Sequence, residues 1–271
     1  MEISSKTDKG IVRKNNEDSL LVIPPWSSIS ISKKACLFLV ADGMGGQNAG
    51  EVASHIAANF AKEWFTQKDL NEITPQMVDD LINSANEKVW EYSRQHPETN
   101  GMGTTFTIMI IKGDKAIIGH IGDSRVYRLN NNTLTQLTND HSIVGEQVRL
   151  GKLTPNQARV HPARGILSKV LGARQFIKAD IFETEIKADD EFVLCTDGVY
   201  CMLDSEEIEK IIKSTQPEQL ADTLINAANK AGGNDNSTVI AFKVNDIPIK
   251  IPSLFSFSRI LKLLKNYVNS C

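Results

Sequence analysis

The chain is poor in several things that particular functions need. Its four cysteines, Cys36, Cys195, Cys201 and Cys271, lack the spacing of a zinc site. In a chain of this length they read as reduced thiols in a cytoplasmic setting. No histidine or cysteine stands at metal-ligand spacing from another, which argues against a nitrogen- or sulfur-ligated metal. No stretch approaches the roughly 18 apolar residues of a membrane span. The N-terminal MEISSKTDKGIVRKNNED has no apolar core of the kind a secretory signal needs. Basic charge is not in excess either. A net charge of −3 argues against a general nucleic-acid binder, which would show a basic face. Internal repeats and low-complexity tracts are absent.

What remains is an ordinary globular composition, 41% hydrophobic and 23% charged over 271 residues. Charge is unevenly placed. From Ile247 onward there are four basic residues, Lys250, Arg259, Lys262 and Lys265, and no acid. In this tail SFSRILKLLKNYV places Phe257, Ile260, Leu261, Leu264 and Val268 on one helical face. Such a basic amphipathic helix, residues 245–271, suits docking on its own domain, an acidic partner or an anionic membrane surface.

Along the chain, residues 2–7 and 18–23 read as short strands. LFLVA (37–41) is a buried strand that stops on Asp42, followed by Gly43, Met44, Gly45 and Gly46. Apolar residues at three- and four-residue spacing predict a helix over Asn48–Phe65. A second follows after Thr74 as N-cap with Pro75 at its first position. The Trp64 and Trp90 stripes of these helices read as core. A hairpin turning at Gly113-Asp114 leads into a meander that turns at Asn130–Asn132. The polar segment 139–172 interrupts the strands and holds short helices, as a lid or binding loop would. His141 and His161 within it read as solvated. Strands at 176–187 and 191–196, helices near 205–214 and 217–231 and a strand at 237–244 complete the pattern. Grouped strands and paired helices predict an α+β domain over 1–244, a sandwich of mainly antiparallel sheets covered by helices.

Carboxylates recur at the strand boundaries. Asp42, Asp123, Asp197 and Asp235 each lie at one, and Glu17 and Asp18 close the polar segment before the second strand. Clustered carboxylates repel unless a cation compensates them. Oxygen-only ligation points to Mg²⁺ or Mn²⁺. Two such ions can polarise a phosphoryl oxygen and deprotonate a water bridging them. The planar fork of Arg13 matches a phosphate dianion.

Six motifs, RKNNED (13–18), ADGMGG (41–46), GMGTT (101–105), GDSR (122–125), TDG (196–198) and GGNDNST (232–238), occur in the order and spacing of the metal-dependent protein phosphatase 2C family. The sequence resembles that family, in its bacterial type, over residues 3–244. The resemblance implies a four-layer α-β-β-α sandwich and a binuclear Mn²⁺/Mg²⁺ centre. By it, Asp42 bridges both metals, the Gly43 carbonyl is a further ligand, and Asp197 and Asp235 complete the first metal. Glu17 serves the second through water, with Asp18 beside it. Asp123 matches a third, weaker metal position, Arg13 the phosphate-binding arginine and Asn236 an orienting group behind the ligands. The activity implied is hydrolysis of phosphoserine and phosphothreonine in phosphoproteins by a monomer, reversing a serine/threonine kinase. No serine or cysteine nucleophile sits among the motifs. The chain departs from the pattern at Met44, where some eukaryotic members carry a histidine. It departs again at Gly165 and Ser168, where asparagine and threonine are expected. Two rival readings are a non-catalytic phosphoprotein-binding module of the same fold and a phosphatase of small metabolites.

Overall fold

The run Cys36–Val40 shows no alternation of polar and apolar residues because both of its faces are covered. In the structure, a computed structural model describing residues 1–23, 35–45, 49–68 and 73–245, it forms most of strand β3 (Cys36–Met44). Leu37, Leu39 and Ala41 pack on one side against helices. Cys36, Phe38 and Val40 pack on the other against a second sheet. β3 does not stop on Asp42. Gly43 and Met44 still pair with Thr104 and Gly103 of the short β4 (Gly103–Thr104), which carries the strand two residues further.

β3 lies between β2 (Asp18–Ile23) and β5 (Phe106–Lys112), followed outward by β6 (Lys115–Ile121) and β9 (Asp180–Glu185). The other sheet runs β1 (Glu2–Asp8), β11 (Ser237–Lys243), β10 (Glu191–Cys195), β7 (Arg125–Asn130) and β8 (Thr133–Gln136). Every pairing is antiparallel. The turn at Asn131-Asn132 has both residues at positive φ, 46° and 61°, as a tight hairpin turn demands. β9 is shorter than the strand predicted over 176–187, and Phe176 is exposed.

The sheets meet through Phe38, Phe192 and Phe242, with the Phe38 and Phe242 rings stacked 4.2 Å apart. Helices α1 (Ala49–Gln67) and α2 (Pro75–Gln95) cover the β3 sheet, and α6 (Ser205–Ser214) and α7 (Pro217–Lys230) the β11 sheet. This is the four-layer α-β-β-α sandwich. Thr74 caps α2 by accepting from the Met77 N–H at 3.3 Å, with Pro75 next.

The apolar stripe of α1 that ends on Trp64 packs against the core, with its small residues innermost. Its buried line is small, Gly50, Ala53, Ala57 and Ala61 with Phe65, while Val52, Ile56, Phe60 and Trp64 are only partly buried. Small residues let the helix sit close on β3, so the large apolar side chains splay to its flanks. Trp90 likewise is half-buried at the surface, with the Arg94 guanidinium 4.8 Å from its ring centroid. The segment 139–172 carries the expected short helices, α3 (Ile143–Arg149) and α4 (Pro155–Arg159). The basic amphipathic tail predicted over 245–271 lies, from residue 246 on, outside the described residues.

Candidate active site

Two carboxylates reach one rim of the sandwich by register alone. Asp18 lies directly opposite Asp42 in the β2–β3 ladder, so both side chains leave the same face. Asp123 follows β6, Asp197 opens the single helical turn α5 (Asp197–Tyr200) after β10, and Asp235 precedes β11. Asp18 and Asp123 are buried, while Asp42 and Asp197 are partly so.

Burial, then mutual repulsion, lifts Asp42, Asp18, Asp197 and Asp123 above the usual range. Asp42 is raised well above it by burial and by Asp18, Asp197, Asp123 and Asp235. Burial pushes Asp18 up to about 7 against the hydrogen bonds of Thr238 and Thr196. Asp197 is pushed up to about 7 by burial, with Asp235 and Asp18 adding. Asp123 is pushed up to about 8 by burial, with Asp197 and Asp140 adding. Glu17 is raised by burial and lowered by Arg13.

One oxygen of Asp18 and one of Asp197 (Oδ1 in each) are buried with no hydrogen-bond partner. A buried carboxylate oxygen without a partner is costly, and a cation satisfies it. Oxygen-only donors of one sign, two of them orphaned, fit a hard divalent cation. Among the described residues the carboxylates are gathered, but no three or more close into a ready-made cage.

The backbone around these groups is held by threonines that sequence reasoning did not single out. Thr196 and Thr238, on adjacent strand ends of the β11 sheet, both donate to Asp18 Oδ2 at 2.8 and 2.6 Å, reaching across the sheet interface. Thr105 Oγ1 accepts from the Asp42 N–H at 2.8 Å, and Thr104 donates to the Asp42 carbonyl at 2.9 Å. The signal was available: each threonine belongs to a quoted motif, TDG, GGNDNST or GMGTT. Two glycines serve close approach. A Cβ on Gly43 would lie 2.1 Å from the Gly50 carbonyl oxygen, and one on Gly198 would lie 1.9 Å from that of Asn236.

Asn236 is buried and works on the backbone. Its Oδ1 accepts from the Glu17 N–H at 2.8 Å, and its Nδ2 donates to the carbonyls of Lys9 and Asn15 at 2.9 and 2.8 Å. It therefore fastens the loop that bears Arg13 and Glu17 to the start of β11. Arg13 is half-exposed and spends one guanidinium nitrogen on Asp235 at 2.6 Å. Burial opposes its charge, but Asp235, Asp197 and Asp42 more than compensate, so its pKa is raised.

His141 overturns the solvated reading. It is buried, its Nδ1 accepts from the Gly122 N–H at 3.1 Å, and its Nε2 lies 3.1 Å from Asp180. Its own N–H donates to the Gly122 carbonyl at 2.7 Å. The residue thus ties the root of the 139–172 insertion to the residue before Asp123. His161 remains partly exposed, with Nδ1 accepting from the Ala163 N–H.

A sandwich of this kind, with an oxygen-only carboxylate set and an arginine at one rim, defines a class of protein that works on phosphoryl groups through divalent cations. The chain belongs to the protein phosphatase 2C family, whose sequence profile matches residues 13–235. It is 36% identical over 250 residues to the serine/threonine phosphatase stp of Listeria welshimeri, spanning 90% of this chain and 96% of that one. It is 34% identical over 252 residues to the protein phosphatase PhpP of Streptococcus pneumoniae, spanning 91% and 98%. The crystal structure of the catalytic domain of the serine threonine protein phosphatase PstP in complex with two manganese ions superposes with a TM-score of 0.79 at 30% identity, covering 90% and 98%.

Proposed function

We propose that this protein hydrolyses phosphoserine and phosphothreonine in phosphoproteins and so reverses a serine/threonine kinase. The observation that carries the reading is the buried carboxylate set with two orphaned oxygens, on Asp18 and Asp197, beside the half-exposed Arg13. Asp42, the Gly43 carbonyl, Asp197, Asp235, Glu17 and Asp18 would hold two Mn²⁺ or Mg²⁺ ions, with Asp123 available to a weaker third. Such ions, when bound, supply charge to the phosphoryl oxygens and acidify a water for attack.

The chain's own residues do the rest. Arg13 keeps guanidinium N–H groups free of Asp235 to receive and orient the phosphate. Asn236 holds the Arg13 loop, and Thr196 and Thr238 hold Asp18 in place for a cation. Met44 brings no proton to the leaving oxygen. A protein substrate, rather than a small metabolite, is supported by exposed apolar side chains on the Arg13 loop and the insertion: Ile11 and Val12 before Arg13, and Ile143, Leu150, Val160 and Ile166.

The test is turnover of p-nitrophenyl phosphate, a phosphothreonine peptide and sugar phosphates with added Mn²⁺. Peptide turnover is expected to exceed that of sugar phosphates, to vanish with EDTA, and to fall by about a hundredfold or more in Asp42→Asn. Activity that survives EDTA, or an Asp42→Asn variant as active as wild type, would sink the metal-dependent reading. A peptide that binds without ever being turned over would point instead to a non-catalytic module.

A further inference from the structure

Beside the carboxylate rim, and sharing Asp123 with it, lies a second concavity of about 390 Å³. It is enclosed by the 139–172 insertion, the β7–β8 hairpin and α6, and no role described so far uses it. Its apolar wall includes Leu134, Val144, Val148, Leu203 and Ile208. Four arginines face it as well: Arg125, Arg149, Arg159 and Arg164.

The carboxylates around the cavity do not balance those four. Asp140 pairs with Arg125, Glu146 with Arg149, and Glu209 with Lys213. Asp123 belongs to the cation-binding set. Among the described residues Arg159 and Arg164 form no ion pair. Arg159 donates through Nη1 to the Cys201 carbonyl at 3.3 Å, but its Nε is buried with no hydrogen-bond partner. A buried guanidinium N–H without an acceptor is a costly feature that an anion repairs. An apolar slot carrying two uncompensated guanidiniums fits a short piece of chain with an acidic side chain. An extended peptide advances about 3.3–3.6 Å per residue, so a chain crossing the Asp123 wall carries its next few residues into the cavity.

We propose that this cavity is a subsite for an anionic side chain flanking the phosphoresidue of the substrate protein, read by Arg159 and Arg164. The subsite rests on the phosphatase reading above and names the substrate class more narrowly: phosphoserine or phosphothreonine with an acidic or phosphorylated neighbour.

The experiment uses the full chain with Mn²⁺ and a panel of phosphothreonine peptides. One peptide has alanine at the three positions on either side; others carry a single glutamate at one of these positions, or a second phosphothreonine there. For at least one position, the anionic peptide is expected to show a KM about tenfold lower than the alanine peptide, with kcat little changed. Arg159→Gln should abolish that preference. Arg164→Glu, at an exposed position that folding tolerates, should abolish or invert it. Both variants should keep wild-type turnover of p-nitrophenyl phosphate. Equal KM for every peptide in the wild type, or a preference that persists in both variants, overturns the subsite. So does a change in p-nitrophenyl phosphate turnover caused by sulfate through these two arginines, since that would make the cavity a free-anion site. If no peptide and no p-nitrophenyl phosphate is turned over at all, it is the phosphatase reading that fails.

Discussion

Asn236 shows how much one neutral side chain can hold. Its amide uses one acceptor and both donors on three backbone groups of the segment Lys9–Glu17. None of these bonds touches a phosphate or a cation, yet together they set where Arg13 and Glu17 stand. Asn236→Ala is expected to lower kcat/KM for p-nitrophenyl phosphate about 10- to 100-fold and to raise the Mn²⁺ concentration needed for half-activity. Asn236→Asp should fare no better, because it would turn an oxygen toward two carbonyl oxygens. Activity within twofold of wild type in either variant would remove Asn236 from this role. Cys195 shows the opposite case of a conspicuous residue with a dull task. It is buried, and burial pushes its thiol up to about 12, so it packs as a small apolar side chain rather than reacting.

At the scale of an element, the 139–172 insertion is anchored at its root and open beyond it. Arg125 grips Asp140 through Nε at 3.0 Å and Nη2 at 2.7 Å, with its guanidinium 3.6 Å from the Tyr200 ring centroid. His141 clasps Gly122, and Lys169 pairs with Asp180 at 2.7 Å. Asp140→Ala would strand the Arg125 charge in a largely buried setting, at a cost of roughly 3 kcal/mol or more. The expected signature is a lower melting temperature and faster proteolytic cleavage between residues 143 and 166. KM for phosphopeptides should rise further than KM for p-nitrophenyl phosphate. An unchanged cleavage rate would show that the other two anchors suffice. That the strands are interrupted between β8 and β9 was legible from polarity and broken periodicity. The anchoring of the insertion was not, because Asp140 and His141 find their partners 15 and 19 residues away, across a sheet edge.

For the whole molecule the carboxylate cluster couples stability to pH, and cation binding there would couple it to metal as well. A carboxyl whose folded pKa is raised lends stability that is full below its unfolded value and is lost as pH rises through the folded value. Asp18 and Asp197 at about 7 and Asp123 at about 8 therefore spread the loss from the unfolded carboxylate value near 4 up to about pH 8, so that its last part lies above pH 6.5. His120, buried and held down to about 4, works the other way, but its effect falls below its unfolded value near 6.5. In EDTA the melting temperature should thus fall from pH 6.5 to pH 8.5. Saturating Mn²⁺, which needs the ionised carboxylates, should raise it most at the higher pH and flatten the slope. A metal-free melting temperature that climbs across that window would contradict the assigned cluster.

Much was visible in the residues alone. Periodicity marked the helices near 205–214 and 217–231 almost to their ends, and Thr74-Pro75 marked the start of α2. The carboxylates at strand boundaries were legible before any strand was paired, and the fold brings Asp18, Asp123, Asp197 and Asp235 near enough to Asp42 to repel it. These features are local: a cap, a turn or a stripe is decided by a handful of neighbours. Other matters depended on contacts between segments far apart in the chain. The Asp18–Asp42 juxtaposition is a matter of strand register, and the hold of Thr196 and Thr238 on Asp18 spans 178 and 220 residues. The buried face of α1 followed from how closely it sits on β3, which favours Gly50 and alanines over the larger residues beside them. Whether a histidine in a polar loop meets water or a backbone amide, as His141 does, is a question of packing. Arg159 and Arg164, which pair with no carboxylate among the described residues, stand out only once Asp140, Glu146 and Glu209 are seen to pair elsewhere.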